Sequence, residues 1–133
     1  MYSDIDFPET DSFLDFEGKE RTFRYSVQDI GNRYSVRAIE NRENGFQFQA
    51  ISESTPYPAL GDLRHKIRKR LSTRYLQAEE GRLHLYHDEA IGQISHEGVI
   101  IDGRYIPFEK FTSMLQEYEG FLIELRIKDL SDE

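Results

Sequence analysis

Cysteine is absent from all 133 residues. Disulfide staples, thiolate nucleophiles, iron–sulfur clusters and cysteine-ligated zinc are thereby excluded. Long apolar runs are missing too, and no uncharged stretch approaches the roughly 20 residues needed to span a bilayer. The opening Met1-Tyr2-Ser3-Asp4 lacks the basic and apolar regions of a secretory signal. A cytoplasmic setting with no membrane contact is the expectation. Nucleophile elbows, Walker loops and dinucleotide-binding glycine turns do not occur either, so no cofactor is implied.

What is present is aromatic and acidic. Nine Phe and eight Tyr are more than a disordered chain of this length carries, and they predict a packed core. Net charge is −8, unevenly spread. Within the first twenty residues Asp4, Asp6, Glu9, Asp11, Asp15, Glu17 and Glu20 face only Lys19, so this stretch holds −6 of the −8. The remainder is close to neutral. Generic attraction to polyanions is disfavoured by that balance. Residues 1–19 read as an acidic, flexible N-terminal tail, and residues 20–133 as a single α+β domain.

Three short strands follow the tail. Phe23, Tyr25 and Val27 alternate with Thr22, Arg24 and Ser26. Tyr34, Val36 and Ala38 alternate with Ser35 and Arg37, and Phe46, Phe48 and Ala50 with Gln47 and Gln49. Turns at Asp29-Ile30-Gly31-Asn32 and Asn44-Gly45 make this an antiparallel meander with an aromatic inner face. Sheets that stack single-stranded RNA expose their aromatics instead. After Pro56 and Pro58, Leu60, Leu63, Ile67, Leu71 and Tyr75 form the apolar stripe of a helix running to about Gln77. Short strands at Leu83–Leu85 and Ile91–Ile94 lead to two apolar runs joined by Asp102-Gly103, the signature of a type I′ hairpin. Pro107 and Glu109 then start a second helix, with Phe108, Phe111, Met114, Leu115 and Tyr118 on one stripe and Gly120 as its cap. Phe121, Ile123, Leu125 and Ile127 alternate with Leu122, Glu124, Arg126 and Lys128, which predicts a last strand with one buried face. The expected order is β-β-β-α-β-β-β-α-β, a mainly antiparallel sheet with both helices on one face.

The blocks DLRHKIRKRLSTRYL, GVIIDGRYIPFEKFTSMLQEYEGF and LRIKDLSDE resemble an uncharacterised bacterial domain family. The likeness spans roughly residues 60–133. It rests on a basic helix, an Ile-Asp-Gly-Arg turn and a Met-Leu…Tyr-Glu-Gly helix end. Pro107 departs from the pattern, which has a serine-like cap there. Some relatives carry a Cys-rich, zinc-binding-like segment in front of the domain; here the acidic tail stands in its place. The family has no assigned activity, so the resemblance implies a domain in a bacterial cytoplasm and no mechanism.

Three clusters carry chemistry-bearing residues. Arg64, Lys66, Arg68, Lys69, Arg70 and Arg74, with His65, are the one cationic cluster in an acidic chain. At 100° per residue Arg64 and Arg68 border one edge of the apolar stripe, Arg70 and Arg74 the other. Lys66 and Lys69 point outward, and Asp62 can pair with Lys66. Such side chains commonly cover a stripe with their methylenes. As a binding surface, Arg64, Arg68, Lys69, Arg70 and Arg74 would take a protein partner or the chain's own acidic tail, and in a second reading a nucleic acid. His84, His87 and His96 supply metal-ligand types, but His84 and His87 fall on opposite faces of a strand, so no metal site is assigned. Glu117, Glu119, Glu124 and Asp129, with Tyr118, Arg104 and Arg126, would need two carboxylates converging in a cleft to act as an acid–base pair. An ion pair of Arg104 with a helix carboxylate explains them without catalysis.

The expectation is therefore a non-enzymatic protein-interaction module, with a homodimer as one form. Nucleic-acid association through residues 64–74 is the alternative, and an enzyme with a dispersed site the third reading. If the acidic stretch complements the basic helix, deleting residues 1–19 should lower the thermal midpoint at low salt. An unchanged midpoint would count against that complementarity.

Overall fold

The computed structural model describes residues 7–86 and 88–133. The fold is α+β, and the chain divides into two compact units: Met1–Thr73 with Ile127–Glu133, and Arg74–Arg126. Each unit has its own core.

The first unit is a four-stranded antiparallel sheet in the order β1 (Thr10–Leu14), β2 (Glu20–Asp29), β3 (Arg33–Glu40), β4 (Gln47–Glu53). One helix, α1 (Tyr57–Leu71), packs on it. Register explains the faces. Phe13 lies opposite Arg21, Val36 opposite both Val27 and Ala50, and Ala38 opposite both Tyr25 and Phe48. Phe13, Phe23, Tyr25, Val36, Ala38, Phe48 and Ala50 are all buried, against Ala59, Leu60, Leu63, Ile67 and Leu71 of α1. The expected aromatic inner face is therefore the core.

The meander has one strand more than the periodicity predicts. Residues 10–14, assigned above to a flexible tail, pair with β2 along its first half. Only Phe13 supplies an apolar inward side chain, and its inward neighbour is Asp11, so the acids conceal the alternation. Residues 1–6 of the expected tail lie outside the described residues.

Beyond β1, Asp15 folds back into the unit. Its carboxylate accepts from the amides of Glu17 and Lys19, both at 2.9 Å, and from Arg21 Nε at 3.1 Å. Arg21 in turn reaches Glu40 at 3.2 Å, and Glu40 accepts from the Phe46 amide. The guanidinium lies over the Phe46 ring. All three charged side chains are under a tenth exposed, and each has partners, as buried charge requires.

The second unit is built of two small antiparallel sheets and a helix. β5 (Leu76–Glu79) pairs with β6 (Arg82–Leu85), and β8 (Gly98–Ile101) lies between β7 (Gln93–Ser95) and β9 (Arg104–Pro107). The helix α2 (Phe108–Leu115) continues as a 3-10 turn at Gln116–Tyr118. Asp102 and Gly103 take φ of 54° and 74°, the left-handed pair that the type I′ hairpin demands. The core is small: Tyr75, Leu76, Ile101, Ile106 and Met114.

Three further expectations change. α1 stops at Leu71 rather than near Gln77, because Ser72 and Thr73 hydroxyls cap the Lys69 carbonyl and Asp102 takes the Tyr75 and Leu76 amides. Tyr75 therefore belongs to the second core and not to the helix stripe. The two helices do not share one sheet face; each packs within its own unit. Lastly, residues 121–127 form no strand and join none of the three sheets.

Asp15 supplies a pH test. Burial raises its pKa, but the Lys19 and Glu17 amides and the Arg21 guanidinium together outweigh that, leaving it below the ordinary 3.8. A carboxylate depressed in the folded state adds stability above its unfolded pKa, and that stability fades as pH falls through the folded value. The denaturation midpoint of the first unit should therefore fall as pH drops below about 4. Asp15→Asn should start lower near neutral pH and lose less on acidification.

Candidate interaction surface

The cations of α1 are mostly committed within the first unit. Arg64 Nε donates to Asp11 at 2.7 Å, and the same carboxylate oxygen accepts the Tyr25 hydroxyl at 2.9 Å. That ion pair raises the Arg64 pKa, while burial and then the Asp11 hydrogen bond raise that of Tyr25. Among the described residues, the acidic N-terminal stretch thus meets the basic helix through Asp11, held in a strand. Arg68 is exposed at its rim and lies over the Phe13 ring at 5.4 Å. Arg70 lies over Phe48 and bridges to Glu133 at 2.7 Å.

Two placements differ from the helical-wheel reading. Lys66 does not point outward or pair with Asp62; it donates to the carbonyls of Gln49 and Ser131, at 2.9 and 3.1 Å. Arg74 is not on the helix at all. It belongs to the second unit, where it lies over Tyr86 and donates to the Leu76 carbonyl. Lys69 is exposed as expected.

In the second unit the Asp102 carboxylate does more than turn the chain. It accepts from the amides of Tyr75 and Leu76 at 2.9 and 2.8 Å, fastening the entry of β5 to the β8–β9 hairpin. His84 Nδ1 lies 2.7 Å from Glu117, which assigns Glu117 a histidine partner rather than the expected arginine. His96 sits at the β7–β8 turn, where its carbonyl accepts the Tyr105 hydroxyl; His87 lies outside the described residues. Among the described residues no three His, Asp or Glu side chains gather as a metal site would require.

The least expected surface follows Gly120. Phe121 is 67% exposed, Leu122 90%, Ile123 67%, Leu125 78% and Ile127 73%. Phe121 touches the Tyr118 ring edge-on, and residues 122–127 belong to no sheet. Five large apolar side chains in seven residues, open to water, are a marker of a surface that something covers. Their period-two pattern is visible in the sequence. It says that the segment suits a strand, and is silent on which strand lies beside it.

A family model described as a domain of unknown function, DUF7686, matches residues 5–72, and a second, DUF7713, matches residues 75–132. The chain belongs to the DUF7686 family. The break between the two matches falls where the compact units divide, between Thr73 and Arg74. The family resemblance read over residues 60–133 therefore straddles a boundary: its basic helix lies in the DUF7686 match, its hairpin and helix end in the DUF7713 match. No curated protein and no solved structure matches the chain. Among the described residues, no helix is long and apolar enough to cross a membrane.

For the DUF7713 portion the Asp102 clamp is the feature to test. Asp102→Ala removes two charge-assisted hydrogen bonds and places a less suitable residue at positive φ. It should destabilise the second unit by about 2 kcal/mol, read from amide exchange of Tyr75 and Leu76. The exchange of β2 and β3 amides should stay unchanged.

Proposed function

We propose that this protein is a non-enzymatic interaction module, working in a bacterial cytoplasm, that engages protein through residues 121–127. The observation that carries the reading is the run of exposed apolar side chains there. Moving such side chains out of water is favourable by about 1.5–3 kcal/mol each when burial is complete. Glu124 and Arg126 between them keep the free segment soluble and add charge selectivity. Arg64 and Arg70 already pair with acids of the chain itself. That leaves α1 fewer open charges for phosphate contacts and weakens the nucleic-acid reading. Cysteine-free composition agrees with a reducing compartment.

The test is affinity capture from nuclease-treated bacterial lysate, with the wild-type chain and a Leu122→Asp, Leu125→Asp variant as parallel baits. Both positions are exposed, so the variant should keep its fold by circular dichroism. Protein retained by the wild type and lost by the variant is the expected result. Recovery of nucleic acid alone, removed by nuclease and insensitive to the variant, would overturn the reading in favour of α1.

A further inference from the structure

We propose that residues 122–128 pair with the same segment of a second copy, as an antiparallel two-stranded ribbon with Leu125 on the two-fold axis. The inference rests on the interaction reading above and names its partner. It comes from the order of side chains along the segment. In an antiparallel pair, residues directly opposite share a face, and their numbers add to a constant. An odd sum would set Leu125 against Glu124 or Arg126 and mix the apolar and charged faces. A sum of 248 places Glu124 against Glu124 of the partner subunit, and 252 places Arg126 against Arg126 of the partner subunit.

A sum of 250 avoids both clashes. Glu124 then faces Arg126 of the partner subunit, twice by symmetry. Leu125 meets Leu125 of the partner subunit on the axis, and Ile123 meets Ile127 of the partner subunit on either side. One face of the ribbon collects only Ile123, Leu125 and Ile127 from both copies, while the other carries the charge pairs flanked by Leu122 and Lys128. Parallel in-register pairing would instead set Glu124 beside Glu124 of the partner subunit and Arg126 beside Arg126 of the partner subunit. The antiparallel form closes as a dimer. All seven residues from Leu122 to Lys128 are exposed and outside the sheets, so their backbone is open to a neighbouring strand.

Two-stranded ribbons alone are weak, so the dimer should be concentration-dependent. The absence of cysteine gives a clean probe. In this register, residue 125 lies about 5 Å from its mate, within disulfide reach, whereas the two copies of residue 122 lie about 20 Å apart. Leu125→Cys oxidised with glutathione disulfide should therefore form a covalent dimer much faster than Leu122→Cys. In sedimentation runs without any cysteine, Glu124→Arg should weaken self-association at least about tenfold, because it turns both cross-strand pairs repulsive. Glu124→Arg with Arg126→Glu should restore it.

Equal trapping rates at 122 and 125, no trapping at 125, or a monomer at every concentration would overturn the self-pairing. So would a double variant no better than the single one. Failure here is distinguishable from failure of the interaction reading. A monomeric chain that still captures protein through residues 121–127 loses its proposed partner and keeps its function.

Discussion

The inner face of the four-stranded sheet is aromatic, and a single fifteen-residue helix has to cover it. Much of the first unit follows from that constraint. A helix presents its apolar stripe over about a third of its circumference, so the flanking positions fall on the sheet margins. Arginines occupy those positions. The guanidinium groups of Arg68 and Arg70 lie over Phe13 and Phe48, and Arg64 and Arg70 pair with acids of distant segments, Asp11 and Glu133. Along α1, Arg64, Lys66 and Arg70 are thus held by partners within the first unit. The same need for cover draws β1 into the sheet, since Phe13 closes the edge that Phe23 would otherwise expose.

The second unit meets a harder problem with fewer residues. Five buried side chains make a small core, and short hairpins bury little surface per residue. Asp102 compensates through geometry. Its backbone conformation closes the hairpin, and its side chain simultaneously accepts from the Tyr75 and Leu76 amides. One residue thereby couples the entry of the unit to its centre. The two family matches, over residues 5–72 and 75–132, meet where this unit begins.

Exposed apolar chain after Gly120 stands apart from both cores. A protein with a net charge of −8 tolerates such a segment in solution because self-repulsion opposes indiscriminate association. Alternating Glu124 and Arg126 restrict what can lie beside it, since a neighbouring strand must answer both charges in the right register. On the proposed reading, association is compatible with solubility, and Glu124 and Arg126 supply its selectivity.

Local chemistry was legible in the sequence. The Asp102-Gly103 turn, the aromatic face of β2–β4 and the Leu60-Leu63-Ile67-Leu71 stripe depend on φ/ψ preference and periodicity within a few residues, and all three appear as read, whereas α2 ends at Leu115, short of Gly120. The errors share one physical origin. Asp11 and Asp15 look like a solvated tail until Arg64 and Arg21 arrive from elsewhere in the chain to neutralise them. Lys66 looks outward until the Gln49 and Ser131 carbonyls are brought to it. Periodicity in residues 121–127 predicts a strand with one buried face, and none forms, because a strand exists only beside another and that neighbour is a non-local fact. The sequence by itself determined which segments turn, alternate and cap, because those energies are local. Tertiary structure alone decided which charges are paired and which apolar face is left open, because those energies depend on residues far apart in the chain.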